Sequence, residues 1–438
     1  MHLKESKNLF FNMKKISLLL FILLIPQSLA SLTIEESIKN SVLNNTTIKI
    51  ALEEIEEAKE LVSLSATKFK PDIALSFTEK QSSTETTTST SSSTVDKLED
   101  SYSLTVSQNL YSGGRNQLDL KRSKILFNKQ IENFYISLND LILNAINGYL
   151  TVQVYENSLI ANTKTFEVVE TIYNDTLTKK NLGTATLVDL KNAESSYELA
   201  KSNMVLAKGN IEVGKRTFKR IVGLDPIDLE EILNINDKIE YQEIIDTAII
   251  NNHEIKILNF DLDAASLQLE IKKKAKLPSL DLTGTASYND NVSSKGTETK
   301  SANLSATLSI PIYQKGVENS DIRKYQSQYS QTQYRLDDKK ETIKLQASIL
   351  LNNFRVYQSQ YDSSTAQINA NEIALEITKK EYESGIKTFS DLINQEEQLL
   401  TSKLNRFNIK KDLIMTYFEI LSLEGVLVNK FQDYLPEI

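Results

Sequence analysis

Gly183-Thr-Ala-Thr186-Leu-Val-Asp189-Leu190-Lys-Asn192-Ala-Glu194 returns 202 residues later as Gly385-Ile-Lys-Thr388-Phe-Ser-Asp391-Leu392-Ile-Asn394-Gln-Glu396. Six of the twelve positions are identical. Each copy carries the same local instruction. The glycine takes a left-handed C-cap cheaply and ends one helix; Thr-x-x-Asp, a variant capping box, opens the next. Both copies therefore read as the tip of a helical hairpin, and long helical patterns lead into and out of each tip.

The rest of the chain agrees with a few very long elements. It has 438 residues but only 12 Gly and 6 Pro, too few for the loops of two or three ordinary domains. With no Cys and only His2 and His253, disulfides, thiolate or His-rich metal sites and His-dependent triads lack raw material. Lone carboxylate pairs such as Glu53-Glu54 and Glu56-Glu57 read as solvated helix faces, so an enzyme finds little support. The formal net charge of −8, with both signs well mixed, argues against nucleic acid as a partner. Lys14-Lys15, the apolar run from Ile16 to Ile25, Pro26 and the small-residue site ending at Ala30 make a secretory signal peptide over 1–30. Met13 offers a second start. No cysteine follows Ala30, which removes lipid attachment there, and loss of four Lys and one Glu leaves the mature chain at −11.

The duplication extends beyond the tips. Helical patterns break at Asn44-Asn45 and again at Asn251-Asn252, and each pattern stops at a proline, Pro71 and Pro278. Period-2 alternation follows. Ile73, Leu75 and Phe77 mark one strand and Tyr102, Leu104 and Val106 its partner, across a Ser/Thr-rich run from Ser82 to Thr94. In the second copy Leu280, Leu282, Ala286 and Tyr288 pair with Leu304, Ala306, Leu308 and Ile310. Four strands of about ten residues are expected, the length of a tilted bilayer-crossing strand with small polar residues on the other face. A soluble sheet packed on helices fits the alternation as well. If the strands span a membrane, four cannot close a barrel and several chains must share one.

After Tyr111-Ser-Gly113-Gly114 and Tyr313-Gln-Lys-Gly316 come the long helices. From about Asn116 to the first tip the pattern is unbroken, with Ile131, Leu138, Ala145, Val152, Leu159, Phe166 and Tyr173 repeating every seven residues. Leu190, Tyr197, Met204, Ile211 and Phe218 repeat likewise on the return, beside a small-residue line of Ala193, Ala200, Ala207 and Gly214. Ile393, Leu400, Phe407, Ile414 and Leu421 do so in the second copy. A strict seven-residue repeat implies left-handed coiled-coil packing.

In this order, signal peptide, then twice a helix, a strand pair, a long helix, a Gly-x-x-Thr-x-x-Asp-Leu tip and a return helix, the chain resembles the TolC-like outer-membrane efflux protein family. The likeness covers nearly all of the mature chain, and Leu277-Pro278-Ser279-Leu280 and Ser309-Ile310-Pro311-Ile312-Tyr313 add to it. Asn109 stands where that family often has the proline seen at Pro311, and no proline follows the two Asn-Asn breaks. The resemblance implies a mainly α fold with a small β part: two tandem repeats of long antiparallel coiled-coil helices plus four membrane-spanning strands. Trimerisation would then form a shared twelve-stranded barrel and an α-helical tunnel. The expected division is 1–30 signal peptide, 31–222 first repeat with a β-hairpin at about 72–111 and tip at 183–189, and 223–240 linker. The second repeat follows over 241–425, with a hairpin at about 279–313 and tip at 385–391, then a tail over 426–438.

The implied function is a passive, gated, homotrimeric duct in outer-membrane lipid for small-molecule efflux or type I protein secretion. It would need no cofactor, and its tips would dock a periplasmic adaptor attached to an inner-membrane transporter. By the same resemblance Asp391 matches an aspartate of the narrowest ring, where three symmetry copies repel, raise one another's pKa and attract cations. Asn394 takes the place of a second acidic ring. Asp189, Tyr382 and Lys387 match positions that link helix pairs and hold the entrance shut, with an Asp189–Lys387 pair expected and a lysine replacing an arginine common there. Leu182, Gly183, Thr186, Gly385, Ile386 and Thr388 are candidate adaptor contacts. Simple capping by Asp189 and Asp391 in first helical turns is the other reading of those carboxylates. A secreted or periplasmic coiled-coil scaffold or adhesin with soluble β-hairpins is the other reading of the whole chain.

Overall fold

The computed structural model describes residues 31–231, 240–291 and 297–434. The expected signal peptide, residues 232–239 of the linker and 435–438 of the tail lie outside the described residues. The first repeat runs α1 (Ile34–Asn44), α2 (Thr46–Thr67), β1 (Asp72–Thr87), β2 (Ser92–Tyr111), α3 (Arg115–Asn181) and α4 (Leu187–Val222). The second runs α5 (Tyr241–Asn251), α6 (His253–Lys273), β3 (Ser279–Asn291), β4 (Thr297–Ser309), α7 (Val317–Glu383) and α8 (Phe389–Leu423). A short α9 (Leu427–Lys430) follows.

The helix breaks come from asparagine chemistry. Asn45 and Asn252 leave helical geometry at ψ 130° and 125°, and each side-chain oxygen caps the next helix. Asn45 accepts from the Thr47 N–H at 2.8 Å, and Asn252 from the N–H groups of Glu254 and Ile255 at 3.0 and 3.2 Å. α3 and α7 are 67 residues each, on the order of 100 Å long at about 1.5 Å per residue. In the α3/α4 hairpin the buried seam is the small line: Ala193, Ala200 and Ala207 are buried, and a Cβ on Gly214 would lie 2.8 Å from the Tyr155 ring. Small residues let the two backbones approach so that large neighbours such as Ile211 and Phe218 can bury fully.

All four strands join one antiparallel sheet in the order β1-β2-β3-β4. The β2–β3 pairing joins the two repeats. The strands are longer than the ten residues expected, at 16, 20, 13 and 13. In the first hairpin the Ser/Thr-rich run continues the ladder to Thr87↔Ser92 and turns tightly at 88–91, where the Thr88 N–H reaches the Ser91 carbonyl at 2.7 Å. Threonine favours extended backbone without needing an apolar partner, so pairing outlasts the alternation. Asn109, in the place of the family's proline, donates from Nδ2 to Asp281 Oδ1 at 2.7 Å and accepts from Asn116 Nδ2 at 3.1 Å, where the β2–β3 register shifts. It ties the sheet to the start of α3.

The main core lies between the sheet and the tips, where α1, α2, α5 and α9 meet the middle of α3 and α7 and the ends of α4 and α8 away from the tips. The tail was unreadable in sequence, yet Leu427 and Phe431 are buried there. The described part of the linker is also held: Leu32 and Leu229 form a parallel bridge, and the Tyr149 hydroxyl donates to the carbonyls of Leu32 and Glu230 at 2.7 and 2.8 Å. At the α8–α9 junction, burial and then Glu243 push the Glu424 carboxyl up to about 7. The folded chain therefore holds this proton across the range from the ordinary 4.5 to about 7, where the unfolded chain releases it, and stability falls as pH rises through that window. Glu424→Gln is expected to stabilise the protein at pH 8 by on the order of 1–2 kcal/mol after solvent screening, with little change at pH 5. Thermal unfolding at the two pH values checks this; equal shifts at both would remove the Glu424 proton from the account.

Candidate functional site

At the end far from the sheet, each hairpin turns as its sequence instructs. Gly183 and Gly385 have φ of +80° and +78°. No atom lies within 4 Å of an added Cβ at either, so the left-handed backbone alone calls for glycine. The N–H groups of Thr184 and Ile386 bond back to the carbonyls of Lys179 and Glu381 at 2.9 and 2.8 Å, closing the last turns of α3 and α7. Thr186 and Thr388 then cap α4 and α8 with full capping boxes. The Asp391 carboxylate accepts from the Thr388 N–H at 2.9 Å and its hydroxyl at 2.7 Å; Asp189 accepts from Thr186 at 3.0 and 2.7 Å.

These bonds hold both carboxyls below the usual carboxylate range, through the threonine hydroxyl first and the threonine N–H second. Within one chain the shift of Asp391 is thus opposite to the raised value expected for a crowded ring. Lys387 lies close enough to Asp391 to add to the lowering. Within one chain no ion pair joins Asp189 and Lys387 among the described residues; the capping box takes one Asp189 oxygen, Oδ2, and Lys387 acts on Asp391. Asn394 is exposed, one turn along α8 from Asp391.

Tyr382 meets other partners. The Lys179 ammonium sits 4.6 Å above its ring, and the Tyr382 hydroxyl lies 3.5 Å from both Lys179 Nζ and Asp175 Oδ2. Lys179 and Asp175 are themselves paired at 2.7 Å, one turn apart on α3. This triad joins the two hairpins just above their tips, over a small core of Val169, Ile172, Ala193, Phe389, Leu392 and Ile393. Sequence reasoning missed Asp175 and Lys179, whose only local signal is an i,i+4 pair in the last turns of α3. It also missed Glu396, buried between helices and reached by the Thr165 hydroxyl at 3.4 Å, with burial pushing its carboxyl up. The available signal was an acid in the apolar stripe Leu392, Glu396, Leu399.

The tips present apolar side chains to solvent. Leu182 and Ile386 are 74% and 73% exposed, and Leu187 and Val188 add to the first tip. Phe389, the counterpart of Leu187, is buried. The first tip is therefore the more apolar surface.

At the other end, the pairing sorts the sheet into two faces. Cross-strand rows Ile73–Val106–Gly284–Leu304 and Leu75–Leu104–Ala286–Ala302 lie on one side; Ala74–Thr105–Thr285–Asn303 and Ser76–Ser103–Ser287–Ser301 lie on the other. An aromatic row, Phe77–Tyr102–Tyr288, bounds the apolar face, with ring centroids 4.9 and 6.1 Å apart. Leu75, Ile73 and Leu304 are 78%, 65% and 77% exposed, so none of the described helices covers this face as a soluble sheet would require. Among the described residues no helix is long and apolar enough to cross a membrane.

Comparison with known proteins agrees with this geometry. The chain is 20% identical over 407 residues to the outer membrane efflux protein BepC of Brucella suis, covering 91% of this chain and 86% of that protein. It is 24% identical over 265 residues to the alkaline protease secretion protein AprF of Pseudomonas aeruginosa, covering 56% and 53%. Its fold matches the crystal structure of the Campylobacter jejuni CmeC outer membrane channel with a TM-score of 0.79 at 17% identity, over 92% of this chain and 90% of that one. The profile of the outer membrane efflux protein family matches residues 38–224 and 244–423. A match running through both repeats, from the helices before each sheet hairpin to the return from each tip, decides the identity: this chain belongs to the outer membrane efflux protein family.

Proposed function

We propose that three copies of this chain form one passive duct across the outer membrane, continued by a helical tunnel, as the outer component of a tripartite export system. The observation that carries the proposal is a two-faced sheet whose outer strands, β1 and β4, have no further partner among the described residues. Unpaired strand edges are not tolerated in hydrocarbon, so other copies must complete the ladder. Three chains give twelve strands, enough to enclose a channel lined by the Ser/Thr rows while the apolar rows meet outer-membrane lipid. BepC is named for efflux and AprF for protease secretion, and both small molecules and polypeptides are cargo classes such a duct can carry. Mass measurement of the mature protein extracted from outer membranes in mild detergent, corrected for bound detergent, should give a trimer. A monomer, or release without detergent, would sink the shared barrel.

The tips are the gate and the docking surface in this reading. Leu182, Gly183, Thr186, Gly385, Ile386 and Thr388 form the contact for a periplasmic adaptor attached to an inner-membrane transporter, and the exposed apolar side chains there favour such docking. The Lys179–Asp175–Tyr382 triad takes the role of holding the hairpins together, with Asp189 and Lys387 shaping the two turns. Asp391 and Asn394 line the constriction, and the capping bonds keep Asp391 charged at neutral pH. Asp391→Ala is expected to cut cation-over-anion permeability several-fold and to relieve block by trivalent cations in bilayer recordings. Unchanged selectivity would take Asp391 out of the constriction.

A further inference from the structure

Below the sheet, four helices leave a cleft of about 370 Å³ that the duct reading does not use. It is walled by α3, the first turn of α6, α7 and α8. Its apolar sides are Ile136, Leu143, Ile349, Leu350 and Leu423. Its charged and titratable groups are Asp140, His253, Glu254 and Glu419, beside the polar Asn139, Asn252, Gln346 and Ser422. Two of these are more than nine-tenths buried and hold an atom without a hydrogen-bond partner: Asn139 Oδ1, at 5% exposure, and His253 Nε2, at 8%.

The chemistry of those atoms is one-sided. His253 is placed by a stack on Tyr135, with centroids 5.2 Å apart, and by a 2.6 Å bond from Nδ1 to Glu132. In the neutral ring Nδ1–H donates to that carboxylate, which leaves the Nε2 lone pair without a partner in the cleft wall. Asn139 Oδ1 is likewise an acceptor. Glu254 is balanced by Lys339 at 2.8 Å, but among the described residues no ion pair reaches Asp140 or Glu419. Buried acceptors without donors are costly, and a half-buried carboxylate without a counter-charge is too; Glu419 is pushed up by its burial. Among the described residues no group of three or more His, Asp or Glu is arranged to hold a metal ion. What satisfies all the groups together is a ligand with N–H donors, a positive charge and an apolar body. The volume falls within the range of small-molecule sites, roughly 300–1,000 Å³.

We infer that this cleft, built on Asn139, Asp140, His253 and Glu419, is a binding site for amphipathic organic cations bearing N–H donors. The inference that such cations are cargo resting on the wall of the duct depends on the proposed function; binding itself does not.

The test uses the purified full chain in a nonionic detergent, with rhodamine 6G, a cation with N–H groups, and fluorescein, an anion of similar body. Fluorescence polarisation should show saturable binding of rhodamine 6G and none of fluorescein. The pair Asp140→Asn with Glu419→Gln should weaken binding at least tenfold while leaving the circular dichroism unchanged. Equal binding of both dyes, or rhodamine binding that the pair does not alter, overturns the site. Should the double variant misfold, competition on the unaltered protein decides. Phenethylammonium should displace the dye and phenylpropionate should not; displacement by both, or by neither, overturns the inference. The readout needs neither a trimer nor transport, so failure of the site and failure of the duct are told apart.

Discussion

Val106→Arg is expected to remove the protein from the outer membrane, whereas Thr105→Arg, one residue away, should still assemble. The two side chains point to opposite faces of β2. Val106 lies in the row Ile73–Val106–Gly284–Leu304, and Thr105 in the row Ala74–Thr105–Thr285–Asn303. Along β2, Tyr102 and Tyr111 are nine residues apart. That is roughly 30 Å of strand at about 3.3 Å per residue, or about 23 Å of depth at a tilt near 40°, close to the apolar band of an outer-membrane barrel. Val106 sits midway between the two rings and so near the midplane. A guanidinium on the lipid face there costs about 2–4 kcal/mol. If three chains share the barrel, the cost recurs three times in one assembly, of the order of a whole domain's stability. Thr105→Arg instead places its charge among hydroxyls on the water side, where the cost is small. Membrane fractionation and native gels of both variants check this. Equal assembly, or loss of Thr105→Arg alone, would reverse the assignment of the faces.

The contrast shows what was legible before any coordinates. Tips, Asn breaks and long helices are local devices: a glycine at positive φ, a threonine capping an aspartate and a seven-residue stripe each state their structure within a dozen residues. They reappear in the structure where the sequence marks them, at Gly183, Gly385, Asn45 and Asn252. Strand faces were legible wherever apolar residues alternate. They were not at 82–87 and 92–94, where serine and threonine carry no apolar alternation and the ladder is set by the opposite strand.

What stayed hidden depends on which helices lie side by side. Lys179 was a surface residue until α7 brought Tyr382 over it, and Lys387 proves to act within one chain on Asp391. The cleft is hidden for the same reason: Asn139, His253 and Glu419 are far apart in the chain and look unremarkable singly. Only four converging helices bring them to the wall of one cleft.

Gly425→Ala should be the most damaging single-methyl change among the glycines, and Gly385→Ala one of the mildest. Both residues hold positive φ, +72° and +78°. Any L-residue there loses roughly 1–2 kcal/mol from the left-handed backbone. At Gly385 that is the whole effect, because nothing lies within 4 Å of the new carbon. At Gly425 the methyl would collide with the Asn251 carbonyl oxygen and stand 2.6 Å from its carbon and 3.0 Å from the Asn252 nitrogen. All three are backbone atoms at the α5–α6 break and have no rotamer by which to withdraw. The α8–α9 junction must move instead. Moving it breaks the bond from Asn252 Nδ2 to the Leu423 carbonyl at 2.8 Å and lifts Leu427 and Phe431 out of the core. Loss of that burial and bond, added to the backbone strain, brings the expected cost above about 4 kcal/mol. Urea unfolding of both variants in detergent, with limited proteolysis of 426–434, measures the difference. Gly425→Ala should unfold at far lower denaturant and expose the tail to cleavage. Coincident curves for the two would mean that the tail does not lock the α5–α6 break, and that the lower core closes without it.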